Sequence, residues 1–206
     1  MSSLPPTVFV VDDDEPVRDA IAMLLDTVDI PCETFDSAQA FLDGYDRTRT
    51  GCLVLDIRMP GMSGLELQEQ LLKIQAPVPI VFITGHGDIP MAVEAMKRGA
   101  LDFIRKPFRD QELLDRIQEA LAVDEAHRAE NADLEQMRDR VATLTPRERE
   151  VFERVADGQA NKVVAIELGI SERTVEIHRS QVMQKTGART LADLVRIKLT
   201  LDRAGY

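Results

Sequence analysis

Four short apolar runs, each stopping at a charged or hydroxyl-bearing residue, constrain the first half of this 206-residue chain more than any other feature. Val8 to Val11 ends at Asp12, Asp13 and Asp14; Cys52 to Leu55 ends at Asp56; Ile80 to Ile83 ends at Thr84; Leu101 to Ile104 ends at Arg105, Lys106 and Pro107. Runs of this length, separated by segments with helical periodicity, read as parallel strands buried on both faces with helices between them. Every strand of such a sheet points the same way, so the residues that follow the strands gather at one edge, where open α/β sheets place their sites. Asp12, Asp13, Asp56, Thr84 and Lys106 are therefore expected to meet in space.

The intervening segments supply the helices. Val17, Ile21, Leu24, Leu25 and Val28 share one face of a first helix opening near Asp14 to Pro16, an acidic, proline-bearing start. Cys32 to Phe35 is less apolar than the other runs and suits an edge strand. Ser37 to Asp43 reads as a second helix, Gly64 to Ile74 as a third with Leu65, Leu67, Leu71 and Leu72 inward, Pro90 to Arg98 as a fourth, and Asp110 to about Val123 as a fifth. The expected architecture of residues 1–123 is a doubly wound α/β domain with five strand-helix units.

Residues 124–140 contain no Gly or Pro and are rich in Ala, Glu, Asp and Arg, which favours a charged helical linker over flexible coil. Leu134, Met137, Val141 and Leu144 form a two-heptad seam there, suited to pairing with another copy. Residues 141–206 read as all-α. Thr145, Pro146 and Glu148 spell a capping box with proline at the first helical position. Gly158 ends that helix, Asn161 to Leu168 forms the next and closes at Gly169, Ser171 caps a third running to about Lys185, and Thr190 caps a fourth. Four short helices with a glycine turn between the second and third read as a helix-turn-helix domain.

Charge is unevenly divided. Residues 1–123 carry 11 Lys and Arg against 21 Asp and Glu, residues 124–140 carry 3 against 6, and residues 141–206 carry 11 against 9. The basic excess lies only in the last third, where it permits a nucleic-acid partner. No apolar stretch approaches the roughly 20 residues that span a bilayer, and a basic-then-apolar leader is missing; a soluble, cytoplasmic protein without a membrane partner is expected. Cys32 and Cys52 fall on strands flanking the first, about 9 to 10 Å apart and beyond the ~7 Å reach of a disulfide, so both read as core thiols.

Three carboxylates held at one sheet edge repel unless they share a cation. An all-oxygen donor set with few carboxylates suits Mg²⁺, which keeps waters and takes phosphate oxygens as further ligands. Asp56, directly after a central strand, is placed to attack phosphorus as a nucleophile; Lys106 would pair with the anion and the Thr84 hydroxyl would donate to a phosphoryl oxygen. An alternative is a Mg²⁺-dependent phosphohydrolase, in which Asp12 and Asp14 would be the nucleophile and a second acid two residues on.

The segments Val11-Asp12-Asp13-Asp14, Leu55-Asp56-Ile57-Arg58-Met59-Pro60-Gly61, Ile83-Thr84-Gly85-His86-Gly87-Asp88 and Phe103-Ile104-Arg105-Lys106-Pro107-Phe108 resemble a bacterial response-regulator receiver domain. The resemblance implies phosphotransfer to Asp56 from a cognate sensor histidine kinase. It also implies Mg²⁺ held directly by Asp13 and Asp56 and by the Arg58 backbone carbonyl, with Asp12 acting partly through water. Thr84 and Phe103 would form a conformational switch, Lys106 and Pro107 would be joined by a cis peptide, and Arg58 and His86 would tune phosphoryl lifetime. The chain would catalyse only its own phosphotransfer and slow self-dephosphorylation.

In the last third, the helix after the turn is expected to enter the DNA major groove. Val175, Val182 and Met183 would be buried, leaving Arg173, Glu176, Ile177, Arg179 and Ser180 outside. Glu accepts from a cytosine amino group, Ile touches a thymine methyl, and Arg reaches guanine or phosphate. Leu144-Thr145-Pro146-Arg147-Glu148-Arg149-Glu150, Gly158, Asn161-Lys162, Leu168-Gly169-Ile170-Ser171, Thr174-Val175 and His178 resemble the LuxR/GerE-type DNA-binding domain. The whole chain thus resembles the FixJ/NarL subfamily of response regulators, in which Asn161, Lys162 and Thr174 join the DNA-contacting set. A phosphorylated homodimer on double-stranded DNA is implied, with RNA polymerase as a further partner. Its pairing faces would include Ile89, Val93 and Met96 in the first domain and Leu191, Leu194 and Val195 in the second.

Overall fold

A computed structural model describes residues 5–85 and 89–206, apart from the side chain of Ile89. The described residues form two compact units, one up to residue 128 and one over residues 129–206.

In the first unit, β1 (Thr7–Val11), β2 (Cys32–Phe35), β3 (Gly51–Asp56), β4 (Ile80–Thr84) and β5 (Asp102–Arg105) make one sheet in the order β2-β1-β3-β4-β5, parallel at every pairing. Alternation along the strands sorts the core into two layers. Phe9, Leu53, Leu55 and Phe82 pack with α2 (Ala38–Gly44), α3 (Gly64–Lys73) and α4 (Ile89–Lys97). Val8, Val10, Val54, Val81 and Ile83 pack with α1 (Glu15–Asp26) and α5 (Asp110–Ala142) on the opposite face. β2 lies at an edge, as its weaker hydrophobicity suggests, and Cys32 and Cys52 pair with the same residue, Val8, from opposite sides. Both thiols are free, and burial pushes them up to about 11 and about 12 respectively. Leu72 departs from its expected place: it points outward, 52% exposed, while Leu67 and Leu71 fill the core.

The fifth helix runs unbroken past Val123 to Ala142. A buried polar latch holds its continuation to the first unit. Asp124, 2% exposed, accepts from the Gly51 backbone N–H at 2.9 Å and from Arg128 Nε at 2.9 and 3.0 Å. Arg128 in turn donates to the Arg49 carbonyl. Removing the carboxylate leaves a buried N–H without an acceptor and a guanidinium without its counter-charge. Asp124→Ala is therefore expected to destabilise the first unit by about 3 kcal/mol, measured by urea unfolding; an unchanged midpoint would refute the latch.

In the second unit, α6 (Pro146–Ala156), α7 (Asn161–Leu168), α8 (Glu172–Thr186) and α9 (Leu191–Arg203) enclose a core of Val151, Phe152, Val155, Val164, Val175, Val182, Leu194 and Ile197. The heptad seam finds its partner here. Val141 and Leu144 are buried in this core, and Leu134 and Met137 pack against it, so the seam is covered within its own chain and is not left open for another copy.

Candidate phosphoacceptor site and DNA-reading helix

Parallel register brings the ends of β1, β3, β4 and β5 together, with Val11 beside Leu55, Asp56 beside Ile83, and Thr84 beside Arg105. Lys106, the residue after β5, then reaches across the sheet edge. Its Nζ lies 2.6 Å from Asp12 Oδ2 and 2.7 Å from Asp56 Oδ1. Each carboxylate spends its other oxygen on a backbone N–H: Asp14 N donates to Asp12 Oδ1 at 2.9 Å, and Arg58 N donates to Asp56 Oδ2 at 2.7 Å. Asp12 is fully buried and Asp56 nearly so. Burial holds the Asp56 carboxyl above its ordinary pKa, against the opposing pull of Lys106. Burial also opposes the charge on Lys106, but hydrogen bonds and attraction from Asp12 and Asp56 outweigh it and hold the lysine above its usual value.

Two buried carboxylates around one ammonium leave a net negative charge in a poorly solvated place, and the ligand atoms these acids offer are oxygens. That combination fits a hard divalent cation. Among the described residues no group of three or more His, Cys, Asp or Glu side chains is gathered as a metal-binding cluster. Asp13 is exposed, whereas Asp12 and Asp56 are buried around Lys106. Mg²⁺ needs only one or two carboxylates besides water and substrate oxygens, so the residues present suffice. Asp14 is exposed at the cap of α1 and does not line the triad as a second acid would.

Thr84 is buried at the end of β4; its hydroxyl donates to the Gly85 carbonyl at 3.3 Å, and its carbonyl accepts from Lys106 N at 2.7 Å. Phe103 on β5 is 38% exposed, turned out of the core. Arg58 is exposed beside the triad, the Lys106–Pro107 peptide is cis, and His86 lies outside the described residues. Sequence reasoning missed Gly64, the first residue of α3. A Cβ there would stand 2.2 Å from the Asp56 carbonyl oxygen, so the helix start presses on the phosphoacceptor strand where only glycine fits. A glycine directly after the cap Ser63 was the available signal.

In the second unit, Gly169 adopts φ 66° and turns the chain from α7 into α8. Ser171 caps α8, accepting from Thr174 N at 3.1 Å. Arg173, Glu176, Ile177 and Ser180 are exposed on α8, opposite buried Val175 and Val182; Lys162 is exposed on α7 and Thr174 is half-buried. Arg179 is half-buried and donates from Nη1 to Asn161 Oδ1 at 3.1 Å, tying the two helices together.

Glu148 braces α8 from the side: it accepts from Lys185 Nζ at 2.6 Å and from Thr145 N at 2.7 Å, and these bonds, the lysine's first, hold its pKa below the ordinary 4.5. An acid with a depressed folded pKa adds stability above its unfolded value and loses it as pH falls through the folded one. Glu148→Gln is thus expected to destabilise the second unit by about 1–2 kcal/mol at neutral pH, with the gap to the parent closing below pH 4.5, as read from denaturant midpoints across pH.

The expected pairing residues divide. Val93 and Met96 on α4 are 46% and 37% exposed, and the Ile89 side chain lies outside the described residues. Leu191 is 40% exposed and Val195 half-buried, but Leu194 is fully buried in the second core and cannot meet a partner. Leu199, 51% exposed, completes the outward row in its place at i, i+4, i+8.

Residues 8–118 match the response regulator receiver domain, and residues 142–198 match the bacterial regulatory proteins of the luxR family. The chain is 48% identical over 194 residues to nodulation protein W of Bradyrhizobium diazoefficiens, covering 94% of this chain and 86% of that protein. It is 45% identical over 198 residues to the transcriptional regulatory protein FixJ of the same organism, covering 96% and 95%. Among solved structures, that of the response regulator StyR superposes with a TM-score of 0.85 at 49% identity, covering 94% of this chain and 98% of that one. Full-length FixJ from B. japonicum gives 0.59 at 43%, covering 97% and 98%. A five-stranded parallel domain with a lysine-bridged acid pair, followed by a helix-turn-helix unit, agrees with both matches, and the chain belongs to the LuxR/FixJ-type response regulators, DNA-binding transcriptional regulators controlled by phosphorylation.

Proposed function

We propose that Asp56 accepts a phosphoryl group from a sensor histidine kinase and that the aspartyl phosphate drives pairing of two copies on promoter DNA. The single observation that carries this is the Lys106 ammonium set between Asp12 and Asp56. An Asp56 oxygen forms the new bond to phosphorus as the bond from phosphorus to the kinase's histidine nitrogen breaks. Lys106 is placed to follow the charge onto the phosphoryl oxygens, and the Thr84 hydroxyl exchanges the Gly85 carbonyl for a phosphoryl oxygen. Asp12, Asp13, Asp56 and the Arg58 backbone carbonyl would hold Mg²⁺, which would supply the positive charge that lets an anion approach the carboxylates.

Thr84 moving toward the phosphoryl group vacates space that exposed Phe103 then fills, changing the surface of α4 and β5. A shift of a few kcal/mol between two forms suffices. Val93 and Met96, with Ile89, form the pairing face of the first unit; Leu191, Val195 and Leu199 form that of the second. Arg58 and His86 set how fast water removes the phosphoryl group, the slow self-dephosphorylation being the chain's only turnover. Asn161, Lys162, Arg173, Thr174, Glu176, Ile177, Arg179 and Ser180 meet DNA, and pairing doubles a surface whose basic excess is too small for one copy to bind well. RNA polymerase is the downstream partner of such a complex, which places the protein in the cytoplasm with the chromosome; no helix among the described residues is long and apolar enough to cross a membrane.

Intact-mass measurement after incubation with acetyl phosphate tests the reading. One phosphoryl group is expected in Mg²⁺ and none with EDTA present; equal uptake in both would refute the metal's role, and no uptake in either would refute the phosphoacceptor.

A further inference from the structure

Of the nine acidic side chains in residues 141–206, six are neutralised at short range. Glu148 faces Lys185 at 2.6 Å, Glu150 faces Arg147 at 2.7 Å, Glu167 faces Arg154 at 2.9 Å and Asp193 faces Arg196 at 3.4 Å. Glu153 and Asp157 share Lys198 at 3.1 and 2.5 Å. Glu172 stands in the first turn of α8, where the helix dipole favours a negative charge. Glu176 has neither kind of compensation. It is exposed, lies beyond the first turn, and among the described residues no hydrogen bond or ion pair reaches its carboxylate. Among the described residues of α6 to α9, Asp202, far along the sequence on α9, shares that condition.

Cations are at hand, since residues three apart on a helix are neighbours and Arg173 and Arg179 flank Glu176 at that spacing. Arg179 is engaged elsewhere, donating to Asn161 at 3.1 Å. A bare carboxylate is therefore kept in the outward row of Arg173, Glu176, Ile177 and Ser180. On DNA of arbitrary sequence such a group is a liability, because it faces phosphates. It becomes an asset only where the groove offers a donor.

A carboxylate only accepts hydrogen bonds. In the major groove guanine presents acceptors, thymine an acceptor and a methyl group, and adenine an amino group beside the N7 acceptor, which would repel a carboxylate. Cytosine presents its N4 amino group without an adjoining acceptor on the same base. We propose that Glu176 is a specificity-determining residue that accepts from the N4 amino group of one cytosine in each half-site and discourages attachment to other sequences. This rests on the DNA-binding reading above and adds that the unpaired carboxylate of Glu176 decides sequence preference at one position per half-site.

The test uses the full chain with Mg²⁺ and beryllofluoride. Duplexes bound by the parent protein are selected from a randomised pool. Affinities of the parent, Glu176→Ala and Glu176→Gln are then measured on the selected duplex, on its single-position variants and on an unrelated duplex. The parent should require cytosine at one position per half-site, losing about 10-fold when it is replaced. Glu176→Ala should lose that preference and no other, Glu176→Gln should turn it toward adenine, and both should bind the unrelated duplex more tightly than the parent. Variants that keep the parent's preference at every position would overturn the inference while leaving DNA binding intact, and a parent preference for adenine would overturn the base assignment. Failure of the parent to bind any duplex would instead overturn the DNA-binding reading.

Discussion

Asp56→Asn is expected to abolish phosphoryl uptake from acetyl phosphate and, in EDTA, to raise the stability of the first unit at neutral pH. The two effects share one cause. Burial keeps the Asp56 carboxyl protonated to a higher pH than in the unfolded chain, so between the ordinary value of 3.8 and the raised one the folded state binds more protons. Stability then falls as pH rises through that window. Asparagine has nothing to ionise, it can still accept from Arg58 N, and Lys106 retains Asp12 at 2.6 Å as its counter-charge. The gain, read as a rise in melting temperature at neutral pH, should vanish below pH 3.8, where both states are protonated. A variant less stable than the parent at neutral pH would show that the triad is a structural ion pair and not a site held in readiness for added positive charge.

Gly64→Ala is expected to do the opposite, damaging fold and chemistry together. The added methyl would sit 2.2 Å from the Asp56 carbonyl oxygen, 3.1 Å from its carbonyl carbon and 3.1 Å from the Phe82 ring. Backbone oxygen cannot swing aside as a side chain does, so α3 or the end of β3 must move. Gly64 N also donates to the Ile57 carbonyl at 3.0 Å, a bond that sets the loop carrying Arg58. Overpacking at such a point costs about 3 kcal/mol, and displacement of Asp56 from Lys106 by a fraction of an ångström should slow phosphoryl uptake at least 10-fold. Stopped-flow uptake kinetics and thermal unfolding measure the two effects; a variant with parental uptake would show that the contact does not position the acid.

Parts of this molecule that depend on strand order and local capping were readable from the sequence. Asp12, Asp56 and Lys106 follow buried parallel strands, and parallel strands leave one place for the residues that come next. Thr145 with Glu148, and Ser171 before α8, are local signals because a cap is made within one turn. Contacts between distant segments left no such mark. Asp124 and Arg128 fall in the stretch that reads as a charged helical linker, and only the proximity of Gly51 makes the acid a buried anchor. On α9, apolar residues occupy a wide arc, and which of Leu191, Leu194 and Val195 faces inward is decided by Phe152 and Val155 of α6 and not by spacing alone. Leu72 points outward for a similar reason, since Leu67 and Leu71 already fill the sheet side of α3.

Sedimentation velocity of the full chain with Mg²⁺, with and without beryllofluoride, tests the switch most directly, with Asp56→Asn alongside. The account predicts a monomer that becomes a dimer on beryllofluoride addition only when Asp56 is intact. A mass that does not change, or that changes equally in Asp56→Asn, would contradict it.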